Sequence, residues 1–230
     1  MSNSIQTLRT RQSDSSPRRR LAQPVSAGPS DAHAFLHDYA AQFQRLCLEP
    51  EDWISRLIAV KDVLVSAART GHKAILVGNG GSAAIASHVA VDLTKNAGIR
   101  AVTFNEPDLI TCFANDYGYE RWLEQAIDCY GDPGDVLIAI SSSGRSPNIL
   151  NACHAARRRG FASVITFSGF SPENPLRALG DHHFWVESSA YNLVETAHQF
   201  WLLALVDLII GRTEYPAKPA EPRPQAGTHG

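Results

Sequence analysis

Two strand–turn–helix units in the middle of the chain constrain its fold most strongly. In the first, the apolar run Ala74–Val77 predicts a buried strand, a turn with three glycines follows, and Ser82 is expected to cap a helix that ends near residue 95. In the second, the apolar residues 136–140 precede a serine-rich turn and a helix over residues 147–159. Short apolar strands that alternate with helices are typical of a parallel sheet with helices on both faces.

The segments around these units continue the alternation. Further strands are predicted at residues 100–104, 162–167 and 183–186, and further helices at residues 109–114, in the segment that ends near 129, and at 192–210. Residues 115–119, Asn-Asp-Tyr-Gly-Tyr, are predicted to form a turn. We therefore predict an α/β fold with one doubly wound, parallel, five-stranded sheet, in a single domain over residues 31–211.

Two amphipathic helices are predicted ahead of the first strand. Asp31 is expected to cap a helix that ends near residue 48, and Pro50 to open a second helix over residues 51–68. Their apolar surface exceeds what one small sheet needs, so we expect residues 31–70 to pair with another subunit. The two tails, residues 1–30 and 212–230, are polar and rich in proline, and we predict that both are disordered.

Composition and charge exclude several classes of function. A net charge of −2 disfavours sequence-independent binding of nucleic acid. The four cysteines have no CxxC spacing, which argues against a disulfide framework or a cysteine-rich zinc site. The longest apolar run, residues 200–210, is interrupted by Asp207 and is too short to span a membrane. We therefore expect a cytoplasmic protein with no membrane partner.

The first turn has the composition of a phosphate-binding site. Gly78, Gly80 and Gly81 allow backbone N–H groups to converge on a ligand, and the start of the following helix favours negative charge. The serine-rich turn adds hydroxyl groups at the end of its own strand, which is where ligands of parallel sheets bind. The alternative interpretations are a glycine turn needed only for packing and serines that only cap a helix.

Together, these motifs resemble the SIS (sugar isomerase) domain family, and within it the phosphoheptose isomerase group. The resemblance covers about residues 31–211, and it rests on residues 78–82 (GNGGS), His88, residues 115–118 (NDYG), residues 141–146 (SSSGRS), and Glu195 and His198. It implies an aldose–ketose isomerisation of a phosphorylated sugar such as sedoheptulose 7-phosphate, a homotetramer with sites at subunit interfaces, and no nucleotide cofactor. The same group includes a non-enzymatic relative that binds the replication initiator DnaA.

The resemblance also implies which residues contact the substrate. Phosphate contacts fall on the serine-rich turn, with help from the first helix: Ser141, Ser142, Ser143, Ser146 and Ser82. Sugar contacts fall on the glycine turn and on the turn after the predicted helix at residues 109–114: Asn79, Gly80, Gly81, Asn115 and Asp116.

The metal and catalytic positions depart from the group's pattern. The heptose isomerases hold zinc with a His and a Glu four residues apart on one helix, and with a Gln and a His on the last helix. Here His88 matches the first His, but Asp92 replaces the Glu, Glu195 replaces the Gln, and Leu203 replaces the last His. This loss weakens the heptose assignment but not the phosphosugar assignment. Zinc or another divalent metal held by His88, Asp92 and Glu195 is a hypothesis from the donor types.

The remaining side chains are chemically sufficient for proton transfer. His88 and Asp92 share one helix face, and Glu195 and His198 share another. We assign Glu195 as the base, His198 as the ring-opening acid or a metal ligand, and Asp92 as a supporting catalytic carboxylate. Each of these residues also has a structural interpretation. The negative charge of Glu195 could only stabilise the first turn of its helix, His88 could only pack between helices, and His198 could be a buried neutral imidazole.

Three functions therefore remain open. The first is a phosphosugar isomerase, which the retained acid/base side chains favour. The second is a phosphosugar-binding SIS protein without turnover, which the missing His favours. The third is a protein-binding module like the relative associated with DnaA.

Overall fold

A computed structural model of the chain describes residues 28–49 and 52–215. Most of both predicted tails lies outside the described residues, and so does the predicted start of the second helix at Pro50 and Glu51. Their predicted disorder and helix start therefore stay predictions.

The chain divides into two compact units, Met1–Asp38 and Tyr39–Gly230. In the described part of the first unit, the backbone N–H of Ala34 donates to Oδ1 of Asp31 at 2.9 Å. This bond satisfies one of the N–H groups that a helix start leaves without an acceptor. It confirms the prediction that Asp31 caps the first helix.

Helices and strands alternate along the described residues from the first strand onward. The elements are α1 (Ala32–Cys47), α2 (Asp52–Arg69), β1 (Ala74–Val77), α3 (Gly81–Lys95), β2 (Ala101–Val102), α4 (Pro107–Tyr117), α5 (Trp122–Tyr130), β3 (Val136–Ser141), α6 (Pro147–Arg158), β4 (Ser163–Ser168), α7 (Pro175–Leu179), β5 (His182–Trp185) and α8 (Tyr191–Ile210). Two predictions are corrected here: β2 is shorter than expected, and α4 continues through Asn115 and Asp116, which were expected in a turn.

The five strands form one parallel sheet in the order β2-β1-β3-β4-β5. This is a doubly wound order, and it confirms the predicted fold class. The chain leaves β1 toward one edge of the sheet and later returns to β3 on its other side. The turns that follow β1 and β3 therefore diverge, and they leave a crevice at the carboxyl ends of these two strands.

The three central strands, β1, β3 and β4, are buried on both faces of the sheet. In β1, Ala74 and Leu76 pack with α2, α3 and α8, whereas Ile75 and Val77 pack with α4, α5 and α6. The alternation follows from the two-residue repeat of a strand. Burial on both faces explains why the strands appear in the sequence as continuous apolar runs.

Helix α8 supplies much of one core layer. Of the residues that the structure describes, Tyr191–Ile210 is the one helix whose length and composition would allow it to cross a membrane. Eight of its side chains are nevertheless buried in this fold, among them Leu193, Trp201 and Val206, and the helix contacts α2 and α3. Packing within the domain accounts for its apolar composition.

Candidate functional site

The turns after β1 and β3 line one cavity of about 290 Å³. Its lining residues are Asn79, Gly80, Gly81, Ser82, Ile140, Ser141, Ser142, Ser143, Ser146, Tyr191 and Glu195. The structure thus brings together the predicted phosphate residues, the predicted sugar residues of the glycine turn and the predicted base.

The glycine turn opens helix α3 without a side-chain cap. Gly80 is the residue before the helix, at φ 54° and ψ −122°, a backbone conformation that glycine adopts without the strain of a side chain. The helix begins at Gly81, so Ser82 lies in its first turn and does not cap it, which corrects the predicted boundary. The buried Ser82 lines the cavity instead.

The serine turn is arranged around its hydroxyl groups. The Oγ atoms of Ser141 and Ser146 lie 3.2 Å apart, and the backbone N–H of Arg145 donates to Oγ of Ser143 at 3.3 Å. Ser146 precedes α6, but its side chain makes no capping bond. Oγ of Ser142 is buried and has no hydrogen-bond partner in the described part of the chain. Helix capping therefore does not explain these serines.

Helix α7 supports the serine turn from behind. A Cβ atom on Gly144, which turns the chain at φ +64°, would collide with the side chain of Asn174. The buried Asn174 side chain donates to Oγ of Ser168 at 3.1 Å and accepts from the backbone N–H of Arg177 at 3.0 Å. The backbone N–H of Leu176 donates to the carbonyl of Gly144 at 3.1 Å. The position of the serine turn therefore depends on α7.

A pair of amides joins the two turns directly. Asn79 donates to Oδ1 of Asn148 at 3.0 Å, and Asn148 donates to Oδ1 of Asn79 at 2.8 Å. The hydroxyl of Tyr119 also donates to Oδ1 of Asn79, at 3.1 Å. Asn148 is 2% exposed, so this reciprocal pair is a buried link across the crevice.

The carboxylate of Glu195 lies against Gly81. A Cβ atom on Gly81 would come within 2.6 Å of Cδ of Glu195, so this approach requires glycine. Glu195 is half-buried, and in the described part of the chain it makes neither a hydrogen bond nor an ion pair. Its oxygens are thus available to a ligand in the cavity.

Glu195 also belongs to a second cavity of about 400 Å³ between α3 and α8. The lining residues of this cavity are Gly81, Ala84, Ile85, His88, Asn192, Glu195, Thr196 and Gln199. The two cavities meet at Gly81 and Glu195, which both of them share.

His88 and Asp92 form a pair on α3, with Nε2 and Oδ2 3.3 Å apart. Asp92 accepts a second bond from Asn96 at 3.0 Å. Among the residues that the structure describes, no three His, Cys, Asp or Glu side chains are grouped so that they could hold a metal ion. Leu203 lies further along α8, in an apolar groove. This donor set does not fit the predicted metal centre of His88, Asp92 and Glu195.

His198 lies in the core and lines neither cavity. It is fully buried, its Nε2 donates to the carbonyl of Ser168 at 3.0 Å, and its ring packs against Phe167. Burial lowers the pKa of His198 to about 4, so the ring is neutral near pH 7. This position does not fit the predicted role of ring-opening acid or metal ligand, and it supports the alternative of a buried neutral imidazole.

Asn115 and Asp116 lie at the end of α4 rather than in the cavity. Both are exposed, and the Asn115 side chain donates to Oδ1 of Asp116 at 2.8 Å. The turn that follows them begins at Gly118 and brings Tyr119 to Asn79 instead. The structure therefore separates these two predicted sugar contacts from the other predicted site residues.

The sequence did not reveal several residues of the cavities and of the amide link between the two turns. On α8, Asn192 and Gln199 lie three residues before and four residues after Glu195, a spacing that places them on the same helix face. That spacing could have identified them. Tyr119 and Asn148 carried no such signal, because their partner Asn79 is 40 and 69 residues away in sequence.

Known proteins share both the sequence pattern and the fold. The pattern of the family described as SIS domain matches residues 38–169. A phosphoheptose isomerase of Burkholderia pseudomallei is 32% identical over 190 residues, which cover 79% of this chain and 93% of that protein. A phosphoheptose isomerase of Bradyrhizobium sp. is 38% identical over 123 residues, and there the chain spans 60% of the relative's length.

Solved structures agree with these matches. The phosphoheptose isomerase of Neisseria gonorrhoeae has a TM-score of 0.71 at 26% identity, over 76% of this chain and 98% of that one. The protein of Francisella tularensis that carries the same name has a TM-score of 0.69 and, at 22% identity, shows the shared fold. With the doubly wound sheet, the glycine and serine turns and these similarities in hand, the chain belongs to the SIS domain family, and its curated relatives there are phosphoheptose isomerases.

Proposed function

We propose that the protein is an aldose–ketose isomerase of a phosphorylated sugar, with sedoheptulose 7-phosphate as the first substrate to test. One observation carries this function: a single cavity collects the serine hydroxyls, the start of α3 and the unpaired carboxylate of Glu195. An anion-binding end and a free base in one cavity are the two parts that such an enzyme needs. The names of the curated relatives support the same reaction class.

The serine turn would hold the phosphate group. The hydroxyls of Ser142 and Ser143 each have a donor that is not used within the fold, and of the mutually bonded hydroxyls of Ser141 and Ser146 one has a second free donor. Charge-assisted hydrogen bonds to phosphate are stronger than neutral ones. The N-termini of α3 and α6 add a favourable field for the anion. Among the described residues, no arginine or lysine lines this cavity, so hydroxyl and backbone donors would carry phosphate binding.

Glu195 would move the proton. With the phosphate on the serine turn, the sugar extends along the cavity toward Glu195, which takes a proton from C1 of the ketose. The proton of the C1 hydroxyl passes to O2 in the enediol, and Glu195 returns its proton to C2. The negative oxygen of the enediolate between these steps is stabilised by donors at the glycine turn. Because His88 and Asp92 pair with one another and Leu203 lacks a donor, no step is assigned to a metal ion.

A phosphosugar-binding protein without turnover is the second candidate. The specific observation in its favour is the burial of His198, which leaves Glu195 without the second acid/base group expected from α8. Such a protein would need the serine turn but not the carboxylate. Substitution at Glu195 therefore separates the two functions.

We expect this enzyme to work as a homotetramer in the cytoplasm. Large apolar side chains remain exposed on three helices that cover the same face of the sheet, including Ile54 and Ile58 on α2, Val91 on α3 and Leu208 on α8. Contact with other subunits would remove them from water. Light scattering after size exclusion measures the assembly directly, and a monomer at micromolar concentration would contradict it.

An NMR time course with sedoheptulose 7-phosphate tests the function. Purified protein is expected to convert the ketose to an aldose phosphate, and Glu195→Gln is expected to bind the sugar without converting it. Binding without conversion by the unchanged protein would support the second candidate instead. No binding by either protein would contradict both.

A further inference from the structure

A partly open cleft, here called the Trp/Arg cleft, lies beside edge strand β5. It has a volume of about 340 Å³, and its walls include Trp53, Trp185, Trp201, Arg45, Arg56 and Arg177. None of these six residues lines the two cavities described above. The cleft is separated from the proposed isomerase site by strand β4, because the order of the sheet is β2-β1-β3-β4-β5.

The indole rings of Trp53 and Trp185 are partly exposed in the Trp/Arg cleft, whereas that of Trp201 is 2% exposed. Three of the four tryptophans of the chain line the cleft. The guanidinium carbon of Arg177 lies 5.0 Å from the ring centroid of Trp185, and the ring of Trp201 lies 5.7 Å from that of Phe184. Indole rings and stacked guanidinium groups favour contact with planar aromatic ligands.

The charges of the cleft leave an excess of positive charge. Arg56 is paired with Asp52 at 2.8 Å. Arg177 donates to a backbone carbonyl at 3.1 Å and has no carboxylate partner among the described residues, and in the same part of the chain Arg45 makes no ion pair. Two exposed carboxylates line the cleft, Asp52, which is paired with Arg56, and Glu187, so three arginines stand against two carboxylates.

The histidine of the cleft, His183, adds little charge of its own. Burial, and then the charges of Arg56 and Arg177, lower the pKa of His183, which keeps its ring neutral near pH 7. The carbonyl of His183 already accepts a bond from Arg56 at 2.9 Å. Free donors in the cleft thus exceed free acceptors, which favours an anionic ligand.

Helix α7 connects the cleft to the serine turn. Arg177 extends from α7 into the cleft, while its backbone N–H is bound to Asn174 at 3.0 Å. Asn174 packs against Gly144 of the serine turn, and the backbone N–H of Leu176 donates to the carbonyl of Gly144 at 3.1 Å. A ligand that moves Arg177 would therefore move a helix of five residues that supports the proposed phosphate site.

We propose that the Trp/Arg cleft binds a small ligand that combines a flat aromatic ring with an anionic group, and that its binding changes the affinity of the serine turn for the phosphosugar. A nucleoside monophosphate and an aromatic carboxylate share this chemistry. The effect on affinity rests on the proposed function, whereas binding in the cleft does not.

Tryptophan fluorescence of the full-length protein tests binding in the cleft, because three of the four reporters line it. AMP and 4-hydroxybenzoate are titrated separately. Adenosine, which has the aromatic ring of AMP but no anionic group, is the control. Saturable quenching by one of the two anions is expected. The anion that quenches shows whether the cleft binds a phosphate or a carboxylate. Quenching by adenosine at the same concentration, or by neither anion, would overturn the proposal.

Two substitutions test whether the ligand binds in the Trp/Arg cleft. Arg177→Gln is expected to weaken the quenching ligand about tenfold, as the loss of one charge-assisted bond predicts. Arg69→Gln, at an exposed position at the end of α2, is the matched control and is expected to leave binding unchanged. Equal affinity of Arg177→Gln and the unchanged protein would overturn the assignment to this cleft.

Calorimetric titration with sedoheptulose 7-phosphate, with and without the saturating anion, tests the coupling. A change of about fivefold in Kd is expected, and it should be lost in Arg177→Gln. An unchanged Kd would overturn the coupling. If the sugar does not bind at all while the anion still quenches fluorescence, the proposed function fails and the site in the cleft stands.

Discussion

Gly81→Ala should separate the activity of the protein from its stability. Gly81 is the first residue of α3, where its backbone is helical, so alanine can adopt the same conformation. The new methyl group would lie within 2.6 Å of Cδ of Glu195. The flexible carboxylate must therefore move away from the place where the two cavities meet, while the helix itself is undisturbed.

The size of both effects follows from this geometry. Relief of the contact requires a shift of about 1 Å, because carbon atoms approach favourably only at roughly 3.5 Å. A misplacement of about 1 Å in a catalytic group can cost about 100-fold in rate. Replacement of glycine by alanine in a helix raises stability by at most about 1 kcal/mol. We therefore expect kcat near 1% of the original value, with a melting temperature that is unchanged or higher.

Conversion of sedoheptulose 7-phosphate followed by NMR gives kcat, and thermal unfolding gives the melting temperature. Lys95→Ala is the matched control, since Lys95 is exposed on the same helix and lines neither cavity. The control should keep full activity. A folded Gly81→Ala protein with more than about half of the original kcat would refute the assignment of Glu195 as a base held against Gly81.

Three further predictions concern binding and stability. Ser143→Ala should raise KM about tenfold with little change in melting temperature, because one charge-assisted bond to phosphate is lost; an unchanged KM would count against the serine turn. Asn148→Ala should lower the free energy of unfolding in urea by about 1–3 kcal/mol, because it leaves the amide of Asn79 without its buried partner; a change below about 0.5 kcal/mol would contradict this. The pKa of His198 is about 4 in the folded protein, against 6.5 for an exposed histidine. As the pH falls from 6.5 to 4, this histidine is protonated in the unfolded chain but not in the folded one, so the free energy of unfolding should fall by about 3 kcal/mol. His198→Gln should remove most of that pH dependence and change kcat by only a few-fold. A 100-fold loss of kcat would show that His198 takes part in catalysis.

The strands and the two turns were predictable because their signals are local. A strand such as Ala74–Val77, buried on both faces, appears in the sequence as a continuous apolar run. Gly80 marks a backbone conformation that few other residues adopt, and serines after a strand lie at the edge of the sheet whatever the surrounding helices do. The parallel, doubly wound arrangement followed from the alternation with helices, whereas the order of the strands is given only by the structure.

The orientation of α8 could not be predicted in the same way. The helix is apolar on almost every side, so periodicity does not decide which face meets the sheet. Glu195 and His198 share a face by spacing, but packing against β4 buries His198 at the carbonyl of Ser168 and leaves Glu195 at the cavity. Only the tertiary structure separates the two roles.

The links between distant segments were beyond the sequence as well. Helix α4 continues to Tyr117, about one turn past the predicted break at residue 115, and the turn that begins at Gly118 brings Tyr119 to Asn79. The bond between Asn79 and Asn148 joins segments that are 69 residues apart. An asparagine in a sequence gives no indication of which residue it will bind. Such contacts follow from the sheet order, which places β1 beside β3.

Solvent-deuterium exchange tests the role of Glu195 most closely. Sedoheptulose 7-phosphate is incubated in D₂O with the original protein or with Glu195→Gln, and NMR follows the hydrogen at C1 while calorimetry confirms that the sugar binds. Removal of the C1 hydrogen by the original protein, and its retention by a Glu195→Gln protein that still binds the sugar, is the predicted result. Equal exchange by both proteins would show that another group is the base.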